Sequence, residues 1–175
     1  MPSLVVTLVG PDRPGLVGLV SDVVRNHNGN WLESRMSHLA GQFAGIVLID
    51  VPEPSQSSLV DALQQLSTHG LQVVAAVDSS GPSADDNGVV WRLNVVGNDR
   101  PGIVREVTQV LASHDVNVEE LTTECNEAPQ SGGQIFRAIA RVRLPELLAP
   151  ELLQDELERI ATDLMIDISP PDSAD

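Results

Sequence analysis

Gly10-Pro11-Asp12-Arg13-Pro14-Gly15-Leu16-Val17 returns later in the chain as Gly97-Asn98-Asp99-Arg100-Pro101-Gly102-Ile103-Val104. The offset is 87 residues (97 − 10). It extends upstream, where Leu4 to Val9 align with Trp91 to Val96, and downstream, where Asn30 and Glu33 align with Asn117 and Glu120. Self-similarity at a fixed offset means that one structural unit occurs twice. Gly41-Gln42 then matches Gly133-Gln134 at an offset of 92, so the second copy is expected to carry about five extra residues. These fall in Glu124 to Gly132, where Pro129 and glycine suggest a lengthened hairpin loop.

Between the copies, Ser79 to Gly88 is small, polar and turn-rich, which is the composition of a linker. The expected organisation is a first domain over 1–78, a linker over 79–88 and a second domain over 89–169. The last residues, 170–175, are expected to form a frayed tail.

Each copy reads as strand, helix, strand, strand, helix, strand. Leu4 to Val9 is a β-branched run that stops at Gly10. Pro14 suits the first position of a helix, where a missing N–H costs nothing. Leu16, Val20, Val23 and Val24 follow at helical spacing, as do Ile103, Val104, Val107, Val110 and Leu111. Asn28-Gly29 is expected to end the first helix. Trp31 to Leu39 and Phe43 to Val51 are strands around a hairpin at Ala40-Gly41-Gln42, and Pro52 and Pro145 each follow the third strand. Leu59, Leu63 and Leu66 make a second helical face closed by Gly70, matched by Leu153, Leu157 and Ile160. Leu71 to Val77 and Leu164 to Ile168 complete the two units. The βαββαβ order with right-handed crossovers gives an α+β fold: two tandem ferredoxin-like modules, each an antiparallel sheet with both helices on one face.

Composition excludes several functions. The 175 residues carry 10 basic and 25 acidic side chains, a net charge of −15, which repels phosphate backbones and anionic lipid surfaces. With two Trp, two Phe and no Tyr there is little to stack on bases. Cys125 is the only cysteine, so neither an internal disulfide nor a cysteine metal site is expected. Met1-Pro2-Ser3 leads directly into Leu4-Val5-Val6 without a basic stretch, so no secretory signal is expected and a cytoplasmic protein is the default. No nucleophile elbow or phosphate-loop lysine occurs. His27 and His114 match across the repeat near helix ends, where a cation suits the dipole better than a metal site would. His38 and His69 have no partners at metal-ligand spacing, and Glu119-Glu120 reads as a solvated turn. Cys125 stands beside Glu124 and Glu127, which disfavours a thiolate.

The motif Gly10-x-Asp12-Arg13-Pro14-Gly15 and its copy Gly97-x-Asp99-Arg100-Pro101-Gly102, set in two βαββαβ units, resemble the ACT-domain family over nearly the whole chain. The two-module arrangement is similar to the glycine cleavage system transcriptional repressor family. The resemblance implies a regulatory module that binds an amino acid at interfaces between modules. It also implies ligand contacts from Asp12 and Asn30, and from Asp99 and Asn117.

Chemistry at the turn is compatible with that. A helix N-terminus offers unpaired N–H groups and partial positive charge, and Gly15 and Gly102 leave the backbone open to an anion. Asp12, Arg13, Pro14 and Gly15 with Asn30, and Asp99, Arg100, Pro101 and Gly102 with Asn117, are therefore the candidate ligand-binding residues. Asp12 and Asp99 read equally as cap or turn residues, Asn30 as turn chemistry, and Arg13 and Arg100 as solvated or salt-bridged loop residues. Gly10 lacks the donor side chain that some family members carry, which leaves the ligand's identity open.

The expected function is a non-enzymatic regulator that binds a small amino acid, glycine first by resemblance, and modulates a protein partner such as a DNA-binding regulator. Neither cofactor nor metal is expected, and self-association is. The alternatives are a ligand-independent interaction module working through its open sheet surfaces, or a regulatory subunit of an enzyme of amino-acid metabolism.

Overall fold

A computed structural model describes residues 3–77, 88–127 and 133–171. The chain divides into two compact units, Met1–Pro82 and Ser83–Asp175. Most of the 79–88 linker, the tip of the lengthened loop and the end of the tail lie outside the described residues.

In the first unit, β1 (Ser3–Pro11) leads to α1 (Leu16–Asn26), then to the hairpin β2 (Asn30–Leu39) and β3 (Gln42–Asp50). α2 (Glu53–Gln64), a 3₁₀ turn (Gln65–His69) and β4 (Gln72–Val77) complete it. The second unit repeats this as β5 (Val89–Asn98), α3 (Ile103–Ser113), β6 (Asn117–Glu127), β7 (Gln134–Leu144), α4 (Pro150–Ile160) and β8 (Leu164–Ser169). The sheets are antiparallel in the orders β2-β3-β1-β4 and β6-β7-β5-β8. This is the α+β, ferredoxin-like fold the repeat predicts.

Alternation explains the layers. Leu4, Val6 and Leu8 of β1 and Val47 and Ile49 of β3 point to one face, where Leu16, Val20 and Val24 of α1 and Leu59 and Leu63 of α2 cover them. The second unit buries Leu93, Val95, Ala140 and Val142 under Ile103, Val107, Leu111, Leu153 and Leu157 in the same way. Ile160 departs from the expected stripe: it is exposed, and Ala161, one residue on, is buried. The helix ends at Ile160, so the chain is already turning inward there.

Both first helices close alike. Asn28 (φ 58°) and Asp115 (φ 54°) take the left-handed position after the cap. Gly29 N–H bonds the Val24 carbonyl (2.9 Å) and Val116 N–H the Leu111 carbonyl (3.0 Å), which is the Schellman pattern. Gly29 itself is needed for space, since a β-carbon there would lie 2.8 Å from the Val24 side chain.

Strand register corrects the alignment. Gly10 pairs with Phe43 and Gly97 with Phe136, so the offset after the hairpin is 93 (136 − 43), not 92. The second copy is thus longer by six residues rather than five. Part of the length goes into the ladder, where Glu124 and Glu127 pair with Arg137 and Gln134.

Candidate functional site

The strand–helix turns differ from the expected geometry in where the helix starts. Pro14 is in the turn, not at the first helical position; Gly15 is the N-cap at φ 92°, and Gly102 is its copy at φ 99°. Both lie in the left-handed region that a side chain resists. Proline takes the first helical position instead at Pro150 of α4. No side chain caps α1 or α3, so neither Asp12 nor Asp99 is a cap. Their backbones anchor the turns instead. Asp12 N–H donates to the Gly41 carbonyl (2.9 Å) and Asp99 N–H to the Gln134 carbonyl (2.8 Å). Each turn is thereby pinned to the hairpin end of its own sheet.

That end is far from the asparagines. Asn30 pairs with Asp50, eight residues along β3 from Gln42, or about 25 Å at strand rise. Asn117 pairs with Arg143 at the corresponding far end of β7. One small ligand cannot touch Asp12 and Asn30, or Asp99 and Asn117, within one module.

Gly10 has a packing reason. A β-carbon there would lie 2.4 Å from the Gly70 carbonyl oxygen, and at Gly97 it would lie 2.4 Å from the Leu164 side chain. The missing side chain is a requirement of the close approach between β1 and the turn before β4, not a mark of ligand type.

The two arginines have diverged. Arg13 is exposed and donates from Nη2 to the His69 carbonyl (2.5 Å). Arg100 is clamped. Its Nε and Nη2 donate to Asp163 (2.6 and 2.9 Å), and its Nη1 and Nη2 to Glu106 (2.8 and 2.7 Å). The Asp163 bond and then the Glu106 bond raise the guanidinium pKa, and Arg100 holds both carboxyls below their usual range. Leu19 and Gly70 stand in module one where Glu106 and Asp163 stand in module two, so the clamp has no counterpart there. Consequently α1 has no acid in its first turn and nothing within 4 Å of the Gly15 β-position, whereas Glu106 reaches within 3.7 Å of that of Gly102.

Glu106, Asp163 and His69 were absent from the sequence candidates. Glu106 could have been noticed as an acid in the first turn of α3; Asp163 and His69, more than 50 residues from their arginines, had no local signal.

The other singled-out residues are structural. His27 and His114 are C-cap residues; His27 Nδ1 meets the Val23 carbonyl (2.8 Å), and His114 pairs with Glu156 of α4. His114 and then Arg159 hold the Glu156 carboxyl below its usual range. Cys125 is exposed; partial desolvation and the carboxylate of Asp99, rather than Glu124 or Glu127, push its thiol up. Among the described residues no group of side chains has the makings of a metal site, and no helix is long and apolar enough to cross a membrane.

A small apolar groove open to solvent lies between α3 and the sheet, lined by Val104, Thr108, Val118, Leu121 and Phe136 among others. Thr108 spends its hydroxyl on the Val104 carbonyl (2.8 Å). The groove therefore offers no polar partner to orient a zwitterion.

The ACT-domain profile matches residues 3–76, and a second ACT-domain profile matches residues 91–156. The glycine cleavage system transcriptional repressor of Escherichia coli (strain K12) is 25% identical over 127 residues, 71% of this chain and 66% of that protein. A UPF0237 protein of Methanopyrus kandleri is 39% identical over 57 residues, 33% of this chain and 63% of that one. The matches thus span slightly under two thirds of these relatives. An unknown protein from Galdieria sulphuraria is 33% identical in a solved structure, with a TM-score of 0.79 over 96% of this chain and 97% of that one. The crystal structure of a protein provisionally named a glycine cleavage system transcriptional repressor shares the fold, with a TM-score of 0.69 at 20% identity over 96% of each chain. With a matched profile on each copy of the repeat and the same sheet order in both, this chain belongs to the ACT-domain family as two ACT modules in tandem.

Proposed function

We propose that the chain is a non-catalytic regulatory protein whose first strand–helix turn takes a small amino acid, glycine first, and that occupancy alters its engagement of a protein partner. The observation that carries this reading is the open N-terminus of α1: no side-chain cap, no acid in the first turn, an unobstructed Gly15 and an exposed Arg13 beside it. Unpaired N–H groups and the helix dipole would hold a carboxylate, with Arg13 adding charge, and Asp12 would accept from the ammonium. In the second turn Arg100 is already held by Glu106 and Asp163, so the reading places the ligand at the first turn. Asn30 stands too far from Asp12 to serve the same module's ligand; a role for it requires a second module, as the family resemblance implies. A regulator of transcription with a charge of −15 would act through a DNA-binding protein, not on DNA.

Calorimetric titration of the full chain with glycine, preceded by a thermal-shift screen of the proteinogenic amino acids, tests this. Arg13→Ala and Asp12→Ala should each weaken binding about tenfold to a hundredfold, since hydrogen bonds to charged groups contribute about 1.5–3 kcal/mol. If no amino acid binds, the ligand reading falls. The module then acts through its surfaces alone, as a ligand-independent interaction protein or a regulatory subunit.

A further inference from the structure

The groove between α3 and the sheet of the second module lies at a place that the first module fills with its own side chains. Strand pairing sets Trp31 and Met36 of β2 at the positions of Val118 and Thr123 of β6. Trp31 pairs with Ile49 and Val118 with Val142; Met36 pairs with Gly45 and Thr123 with Ala138. In the first module Trp31 and Met36 both pack on the buried core. The Met36 side chain lies over Gly45, where a β-carbon would meet its Cγ at 2.8 Å. In the second module two smaller residues hold these positions, and Thr123 is exposed. Leu121, which stands where the first module has Ser34, does not close the gap: it is 45% exposed and forms the rim.

The comparison between copies selects the occupant. One module covers this place with a flat indole ring and a thioether; the other leaves it open. None of the residues lining the groove is charged, and Thr108 spends its hydroxyl on its own helix. Neither a carboxylate nor an ammonium would find a partner inside, so the group that enters is neutral and apolar. Val104, 43% exposed, faces the mouth from α3 as Leu121 does from β6, so the group enters from solvent and can stay attached to a chain outside. The net charge of −15 repels an acidic segment and favours a neutral or basic one.

We propose that this groove takes an aromatic side chain, indole first, carried on a neutral or basic segment of a partner protein. The ring stands in for the Trp31 and Met36 that the second module lacks. A large aromatic anchor seated in an apolar pocket is the usual centre of a protein contact. One ring and its two rims bury far less than a standard interface, so the contact is weak and reversible by itself. The site is separate from the first strand–helix turn and does not depend on an amino acid being bound there.

Chemical-shift mapping of the isotope-labelled full chain with N-acetyltryptophanamide, which carries the ring between two amides as a chain does, tests the proposal. Saturable shifts should appear at millimolar concentration and centre on Thr108, Val118 and Leu121, while Ser21, Trp31 and Ser34 of the first module stay unmoved. A capped tripeptide with lysine on both sides of tryptophan should bind tighter at low salt than one with glutamate on both sides. Leu121→Lys, at an exposed position that the fold tolerates, should lower the affinity for N-acetyltryptophanamide about tenfold or more. Val118→Trp with Thr123→Met refills the groove from within and should abolish the shifts; if that double variant does not fold, Leu121→Lys alone decides. The proposal is overturned by an absence of saturable shifts, by equal shifts in the first module, by binding that Leu121→Lys leaves intact, or by preference for the glutamate peptide. Binding of free indole without binding of N-acetyltryptophanamide also overturns it, since the groove would then take a free small ring and not a side chain. None of these outcomes bears on whether glycine binds, which the titration above decides.

Discussion

Arg100 and Glu106 are joined by two parallel N–H···O bonds (2.8 and 2.7 Å), while in the first module Leu19 stands at the position of Glu106 and Arg13 donates to the His69 carbonyl (2.5 Å) instead. Both modules carry the same turn; in the second, the arginine of that turn is taken up by two carboxylates of its own module, Glu106 and Asp163. An anion arriving at α3 would meet Glu106 and Asp163, whereas one arriving at α1 would meet Arg13.

The clamp should make the second module the more acid-sensitive one. Glu106 and Asp163 have folded-state pKa values below their ordinary ones, with the hydrogen bonds from Arg100 as first cause. Depressed carboxyls contribute stability that is fully present above the unfolded-state values and is lost as pH falls through the folded-state values. Hydrogen exchange across the β5–α3 turn and the start of β8 should rise as pH drops below the usual carboxylate range, with β1–α1 changing less. Arg100→Ala should remove the difference; equal acid response of both turns in the wild type would contradict it.

Glycine substitutions should have opposite signs at two nearby positions. Gly10→Ala places a β-carbon 2.4 Å from the Gly70 carbonyl and should cost about 1–3 kcal/mol by forcing β1 from the turn before β4. Gly18 lies inside α1 with nothing within 4 Å of its β-position, so Gly18→Ala should stabilise by about 0.5–1 kcal/mol. Denaturant melts of the two single variants check both signs.

Copying the first turn into the second should create a second ligand site. If glycine binds the wild type at one site per chain, Glu106→Leu combined with Asp163→Gly reproduces the Leu19 and Gly70 environment around Arg100. Calorimetric stoichiometry should then approach two. A wild type that already binds two equivalents would show that Glu106 does not close the second turn.

Duplex DNA should not be retained by the purified chain at physiological salt. Its −15 charge gives no counterion-release drive, and Arg137, Arg141 and Arg143 of module two are paired with glutamates. Submicromolar, sequence-specific retention in a gel shift would refute direct action on DNA.

The sequence by itself determined the duplication, the βαββαβ order, the α+β class and most of both cores. Those features are local: strand alternation, helical spacing and Pro-Gly turns each express themselves within a few residues. The tertiary structure decided what depends on register and on residues far apart. The hairpin register moved the offset to 93, and it set Asp12 and Asn30 at opposite ends of one sheet although they lie only 18 positions apart in the chain (30 − 12). Chain folding brought Arg13 to His69 and Arg100 to Asp163, 56 and 63 residues away, and so made two matching motifs unequal. Pairing across strands also set Val5, Val9, Ile46, Leu48 and Val74 on the outer face of the first sheet, which no stretch of the sequence shows because each strand contributes only alternate positions to it.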